Sequence, residues 1–279
     1  MTQNTEQHRL TLVLGGSGKT GRRVAERLRP RGRPIRIGSR SGEVPFDWAD
    51  QATWAAALHD VGSVYLAYSP DIGDPSAAPT IRSFADVAVK SGVRRLVLLS
   101  ARGEEAALPA EQAVQEAGAD WTIVRGSWFF QNFSEGILLE PVRSGVVAFP
   151  AGQLPQPFID ADDLADVVVA ALTEDRHAGQ IYELASSPLL TFAEAVGEIA
   201  KATGREIRYL PVSSEQYASM LAQYGFPAEV VAFLTELFAE LLDGRNSHLT
   251  DGVQRCLGRD PRDFADYARD AATTGVWDV

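Results

Sequence analysis

The sequence predicts an α/β fold: a doubly wound parallel sheet of the kind that seats nucleotides, followed by a smaller, mostly helical C-terminal lobe. Three observations predict it. Short runs rich in Val, Ile and Leu recur between helical stretches, the rhythm of βαβ units. The runs lack strict apolar/polar alternation, as strands do when helices cover both faces of their sheet. With 279 residues, 45% of them hydrophobic, the chain can bury a core large enough for one such domain and a lobe.

The first strand is expected at residues 10–15, leading through a glycine turn to a helix over 18–30. Further strands are expected at 34–38, 63–68 (SVYLAY), 94–99 (RRLVLL) and 121–125 (WTIVR), with helices at 51–59, 78–91 and 107–117. The Pro/Gly/Ala segment 70–80 follows neither period and is expected to be the most mobile loop. After residue 126 the rhythm lapses. Helix starts are marked there by Asp160 with Asp163, Thr191 with Glu194, Ser213 with Gln216, and Asp260-Pro261 with Asp263. Each pairs a capping side chain with a residue three positions on that can reach back. From Val230, the residues Val231, Leu234, Leu237, Phe238, Leu241 and Leu242 keep helical spacing until Asp243-Gly244 ends the run. The expected division is a sheet domain over 1–150, with a returning segment 151–185, and a helical lobe over 186–279 that covers the carboxyl ends of the strands.

The formal charge of −11 argues against nucleic acid as a partner, because affinity for a polyanion comes from Lys and Arg. The charge is uneven: residues 1–45 hold ten basic and three acidic groups. That distribution suits an anionic ligand at one end and a neutral or cationic small-molecule substrate elsewhere. Cys256 is the single cysteine, so no internal disulfide forms. His8, His59, His177 and His248 are too scattered to suggest a metal site, and no metal is expected. The start, MTQNTEQHR, carries no apolar signal segment, and no run reaches the length of a membrane span. A cytoplasmic protein without membrane partners, monomeric or homodimeric, is expected, and the Asn132-Phe133-Ser134 sequon then has no glycosylation meaning.

Residues 10–22 read LTLVLGGSGKTGR. The embedded GKT suggests a phosphate loop of the Walker type, but that loop needs a glycine at position 13. Val13 stands there. Gly15, Gly18 and Gly21 are instead spaced three apart between a strand and a helix, where a turn brings a dinucleotide pyrophosphate to the positive end of the helix. Gly15, Ser17, Gly18, Lys19, Thr20 and Gly21 are the expected pyrophosphate contacts. At the end of the second strand, an Asp or Glu would bind the adenosine ribose. The chain has Gly38-Ser39-Arg40-Ser41, with no carboxylate before Glu43. Ser39, Arg40 and Ser41 suit a 2′-phosphate, and NADP(H) is expected rather than NAD(H).

A short-chain dehydrogenase ordinarily protonates its substrate with a Tyr assisted by a Lys four residues on. None of the seven tyrosines has a Lys at that offset. A cationic acceptor such as an iminium ion, C=N⁺, needs no such acid, because hydride attack alone yields a neutral amine. The stretch RGSWFFQN over 125–132 follows a strand directly, where aromatic faces could wall a nicotinamide and attract a cation. Tyr68, Asp71, Glu104 and Glu105 lie just past other strand ends. The catalytic residue is unknown at this stage, with Tyr68, Trp128 and Glu104 as candidates. Trp128, Phe129 and Phe130 read equally well as core.

With those residues in view, the chain resembles the NmrA-like atypical short-chain dehydrogenases, a Rossmann-fold family without the Tyr/Lys pair, and within it the festuclavine and agroclavine dehydrogenases of ergot alkaloid assembly. The similarity runs through LVLGGSGKTG, SVYLAY, RRLVLLSA, TIVRGSWFFQNF, PFIDADDLADV, and GRNSH followed by DFADYARD. The resemblance implies reduction of a cyclic iminium by NADPH. It also implies Asp47 and Trp48 near the adenine, Ala67, Tyr68, Ser100 and Ala101 along the cofactor, and Tyr68, Trp128, Phe129 and Asn132 at the substrate. One position departs: Gly126 stands where relatives usually carry Pro, which bears on the backbone beside Trp128. The same family includes quinone and dye reductases and regulators that bind NADP(H) without turnover.

Overall fold

The computed structural model describes residues 10–279; the polar start 1–9, with His8, lies outside the described residues. In chain order the strands are β1 (Leu10–Leu14), β2 (Ile35–Gly38), β3 (Val61–Leu66), β4 (Arg95–Ala101), β5 (Asp120–Gly126), β6 (Trp128–Phe129), β7 (Val146–Phe149), β8 (Phe158–Ile159), β9 (Gln180–Leu184) and β10 (Arg208–Pro211). The chain forms two compact units. The first comprises residues up to 126 together with 161–184 and 252–259; the second comprises 127–160, 185–251 and 260–279.

The first unit is built on a six-stranded parallel sheet in the order β2-β1-β3-β4-β5-β9. From β1 the chain moves outward to β2, then returns to β3 on the other side of β1. This reversal is the switch point of a doubly wound sheet, beside which ligands bind at the carboxyl ends of the strands. Leu12, Leu14, Val64, Leu66, Leu96 and Leu98 are fully buried, which is why these strands read as continuous apolar runs. Helices Lys19–Leu28 and Ala161–Thr173 lie side by side. Arg27 joins them, its Nε 2.6 Å from Asp166 and its Nη2 2.7 Å from Asp162.

The second unit holds two small parallel pairs, β6 with β8 and β7 with β10, and helices that include Phe192–Thr203, Ser214–Gln223, Ala228–Leu241 and Phe264–Thr273. Its core is aromatic: Phe130, Phe133, Phe149 and Trp277 are fully buried. Two of the four expected cap pairs form capping boxes, Thr191 with Glu194 and Ser213 with Gln216. The last helix departs from expectation. Its N-cap is Asp263, which accepts from the Ala265 N–H, rather than Asp260.

Two further differences have physical reasons. The change of unit between 184 and 185 falls within a residue of the expected boundary, but the first change comes after Gly126 rather than at 150, where β6 pairs with β8 rather than with β5, and residues 252–259 rejoin the first unit. Strand β9 completes the sheet beside β5, although the sequence reading ends the sheet at 125. Its pairing partner lies more than 50 residues away in the chain, and its five residues, QIYEL, carry no strong period of their own. The segment 70–76 is not a bare loop either: Asp71 accepts from the Gly73 N–H and Asp74 from the Ser76 N–H. Among the described residues no helix is long and apolar enough to cross a membrane.

Candidate NAD(P)H site

At the end of β1 the chain turns sharply at Gly15, whose φ of +64° is unfavourable for residues with a Cβ. Its N–H bonds the Gly38 carbonyl at 3.2 Å, and its own carbonyl accepts from Gly18 at 2.8 Å. Gly21 then packs its Cα on that turn: a Cβ there would lie 2.3 Å from the Gly15 oxygen. Turn and helix are interlocked at a distance only glycine permits. The helix begins at Gly18 with no side-chain cap and no acidic residue in its first turn. An open helix N-terminus of this kind favours an anion, through its N–H groups and its dipole. Gly15, Ser17 and Gly18 are exposed there and Lys19 is half-buried. Thr20 is not available in the way the motif suggests. Its side chain turns inward, where its hydroxyl accepts from the buried Tyr65 hydroxyl at 3.0 Å.

Past β2, the Ser39 carbonyl accepts from Gly42 and Phe46, closing a tight loop. Arg40 and Ser41 stand exposed on it, and Arg40 has no hydrogen-bond or ion-pair partner among the described residues. Other arginines of this basic segment are committed. Arg23 and Arg27 pair with Asp162 and Asp166, and Arg36 donates to the Ala57 and His59 carbonyls.

Asp47 and Trp48 have structural duties. The Asp47 side chain accepts from the Ala49 N–H, and its carbonyl accepts from the Trp54 indole. Trp48 donates to the Ala67 carbonyl at 3.2 Å and packs against Phe46, Phe84 and Tyr68. It thereby braces the segment after β3. Tyr68 shares a 3.0 Å hydrogen bond with Ser76.

Ser100 and Ala101 are the last two residues of β4. The Ser100 hydroxyl donates to Glu111 Oε1 at 2.6 Å, and both residues are buried. Arg125 grips the same carboxylate with Nε at 2.8 Å and Nη2 at 2.6 Å, and extends Nη1 to Glu183 at 2.8 Å. These bonds, Glu111 foremost, hold the Arg125 guanidinium above its usual range. The sequence reading missed Glu111 and assigned no role to Arg125. A signal was present: Ala107, Ala110, Glu111 and Val114 share one helix face, so the glutamate interrupts an apolar stripe. Glu104 is buried too, its carboxyl packed against Gly73, while Glu105 is exposed.

In the second unit, Trp128 is half-buried and meets Phe149, Phe192 and Phe238 with ring centroids 5.4–5.7 Å apart. Tyr217 joins Phe149 and Phe238, and burial pushes its phenol up to about 12. Phe130 is core, packed on Phe264. Phe129 is half-buried, and the half-buried Asn132 opens the short helix Asn132–Glu135. Among the described residues no cluster of three or more His, Cys, Asp or Glu could hold a metal ion.

The residues at the carboxyl ends of β1 and β2 fit a dinucleotide: a glycine cradle a Cβ would fill, an uncapped helix start and an arginine without a partner among the described residues. Residues 15–175 match a family model described as NAD(P)H-binding. The chain is 32% identical to agroclavine dehydrogenase of Claviceps fusiformis over 95% of its length and 98% of that protein. It is 27% identical to an NAD(P)H azoreductase of Xenophilus azovorans, covering 93% and 97%. Its fold is similar to that of Citrobacter sp. triphenylmethane reductase complexed with NADP(H), with a TM-score of 0.75 at 19% identity over 94% of this chain and 99% of that one. Interlocked glycines, switch-point topology and matches along most of the chain converge: this protein belongs to the NAD(P)H-binding, NmrA-like atypical short-chain dehydrogenases and is an NAD(P)H-dependent oxidoreductase.

Proposed function

We propose that the protein uses NADPH to deliver hydride to an imine, an iminium or a similarly electrophilic small molecule, without a side-chain proton donor. The observation that carries this reading is the state of Ser100. The hydroxyl at the end of β4 spends its proton on Glu111, and no tyrosine is followed four residues on by a lysine. A cationic C=N⁺ acceptor suits such a site.

Gly15, Ser17, Gly18, Lys19 and Gly21, with the Thr20 backbone, would hold the pyrophosphate, and Arg40 with Ser39 and Ser41 the 2′-phosphate. A reduced nicotinamide supplies the hydride when bound; the chain's part is to orient both reactants and exclude water. Trp48 and Ala67 support the position of Tyr68 at the end of β3. Trp128, Phe129 and Asn132 would meet the substrate, the aromatic rings offering negative faces to a cation. The second unit carries seventeen Asp and Glu against seven Lys and Arg, a formal −10. Such a field favours neutral or cationic substrates over anionic ones.

The test is steady-state NADPH oxidation with cyclic imines, quinones and azo dyes as acceptors. Turnover is expected with cyclic iminium ions, at neutral pH and without added metal. Quinones or dyes alone being reduced would move the substrate class to those acceptors. Tight NADPH binding with no oxidation across the whole panel would replace the enzyme reading with a cofactor-sensing regulator.

A further inference from the structure

We propose that Glu111 and Arg125 form a positioning pair that makes Ser100 a fixed hydrogen-bond acceptor for the carboxamide N–H₂ of the bound nicotinamide nucleotide. This rests on the cofactor reading above. With the pyrophosphate at the end of β1 and the 2′-phosphate at the end of β2, sheet order alone sends the nicotinamide half the other way, toward β3 and β4. Ser100 is the penultimate residue of β4.

A serine hydroxyl has one proton and two lone pairs. Here the proton is directed to Glu111 at 2.6 Å, the length of a charge-assisted bond. The carboxylate cannot readily turn away, because Arg125 holds both of its oxygens. Arg125 is itself anchored by Glu183, whose Oε2 lies 3.5 Å from the Arg102 Nε. Register supports the arrangement: Ser100 and Arg125 are paired neighbours on β4 and β5. Ser100 is left with lone pairs only, so a ligand group facing it must be a donor. Of the groups on a nicotinamide ring, the carboxamide nitrogen is that donor. The pair also explains why this serine is not the missing acid.

The experiment titrates NADPH and its acetylpyridine analogue, in which a methyl group replaces the amide nitrogen, onto the full chain. The wild type is expected to bind NADPH about tenfold more tightly than the analogue, the scale of one net hydrogen bond. Ser100→Ala should bring that ratio close to one by weakening NADPH alone, and Ser100→Thr should restore it. Glu111→Gln should shrink the ratio, and should change it no further when combined with Ser100→Ala, because it acts through that hydroxyl. A Glu111→Gln effect that is equal for both nucleotides, or that persists in the double variant, marks a purely structural role and overturns the proposal. So does an unchanged ratio in Ser100→Ala, which decides the matter even if Glu111→Gln fails to fold. Absence of binding by either nucleotide to the wild type would overturn the cofactor reading as well.

Discussion

At Gly21 a single hydrogen atom decides whether a helix can close on its turn. A methyl group would meet backbone atoms of Gly15 and Gly16 at 2.3–2.9 Å, and backbone cannot swing aside as a side-chain tip can. Gly21→Ala should destabilise the fold by about 1–3 kcal/mol, as overpacking does, and weaken NADPH binding at least about tenfold. Urea unfolding and cofactor titration measure the two effects; a neutral substitution would show that the turn is looser than described. Arg40 is the opposite case, exposed and without a partner among the described residues, so its removal should leave the fold's stability unchanged. Arg40→Ala should weaken NADPH by at least about tenfold, the scale of a charge-assisted contact, and leave NADH nearly unchanged. Equal losses for both nucleotides would remove Arg40 from the 2′-phosphate. The glycine spacing and the arginine were legible in the sequence because their neighbours in the chain define their setting. The inward turn of Thr20 was not, because its partner Tyr65 lies 45 residues away.

Within the six-stranded sheet, β9 is the strand the sequence concealed, and a buried polar cluster ties it to its surroundings. His177 is fully buried, its Nδ1 2.8 Å from the Tyr182 hydroxyl and 3.7 Å from Cys256 Sγ on helix Gly252–Leu257. Glu174 lies 3.6 Å from Nε2. Burial, aided by Arg176 and Arg95 and opposed by Glu174, holds the imidazole below its ordinary value of 6.5. The folded state therefore resists protonation that the unfolded chain accepts. Its stabilising effect is complete above about pH 6.5 and is lost as the pH falls through that value toward the lower folded one. The urea midpoint of the wild type should drop between about pH 7 and about pH 5, and His177→Asn should drop less. Identical pH profiles would exclude this residue as the source. Cys256, pushed up to about 12 by burial, packs as an apolar group rather than acting as a nucleophile.

On the scale of the whole molecule, the charge divides between the two units as well as along the chain. The basic first segment suggested a positive end, yet Arg23, Arg27 and Arg36 are absorbed into ion pairs and carbonyl contacts. The second unit keeps most of the acidic excess. If the substrate is a cation, kcat/KM should fall several-fold as ionic strength rises from about 0.01 to about 0.5 M, as the screening length contracts. A neutral quinone should show little change. Salt-independent kcat/KM for a cationic imine would mean that this field does not reach the substrate.

The amino-acid sequence alone determined the parallel α/β class, the glycine turn at 15–21, the arginine after β2 and the two capping boxes. Each depends on spacing within a few residues, so the chemistry is complete within one short window. Only the tertiary structure decided that Ser100 donates to Glu111, that Arg125 clamps that carboxylate, that β9 closes the sheet and that the chain changes unit after Gly126. Those outcomes depend on which distant segments pair and on which polar groups are removed from water together, and no local period records either.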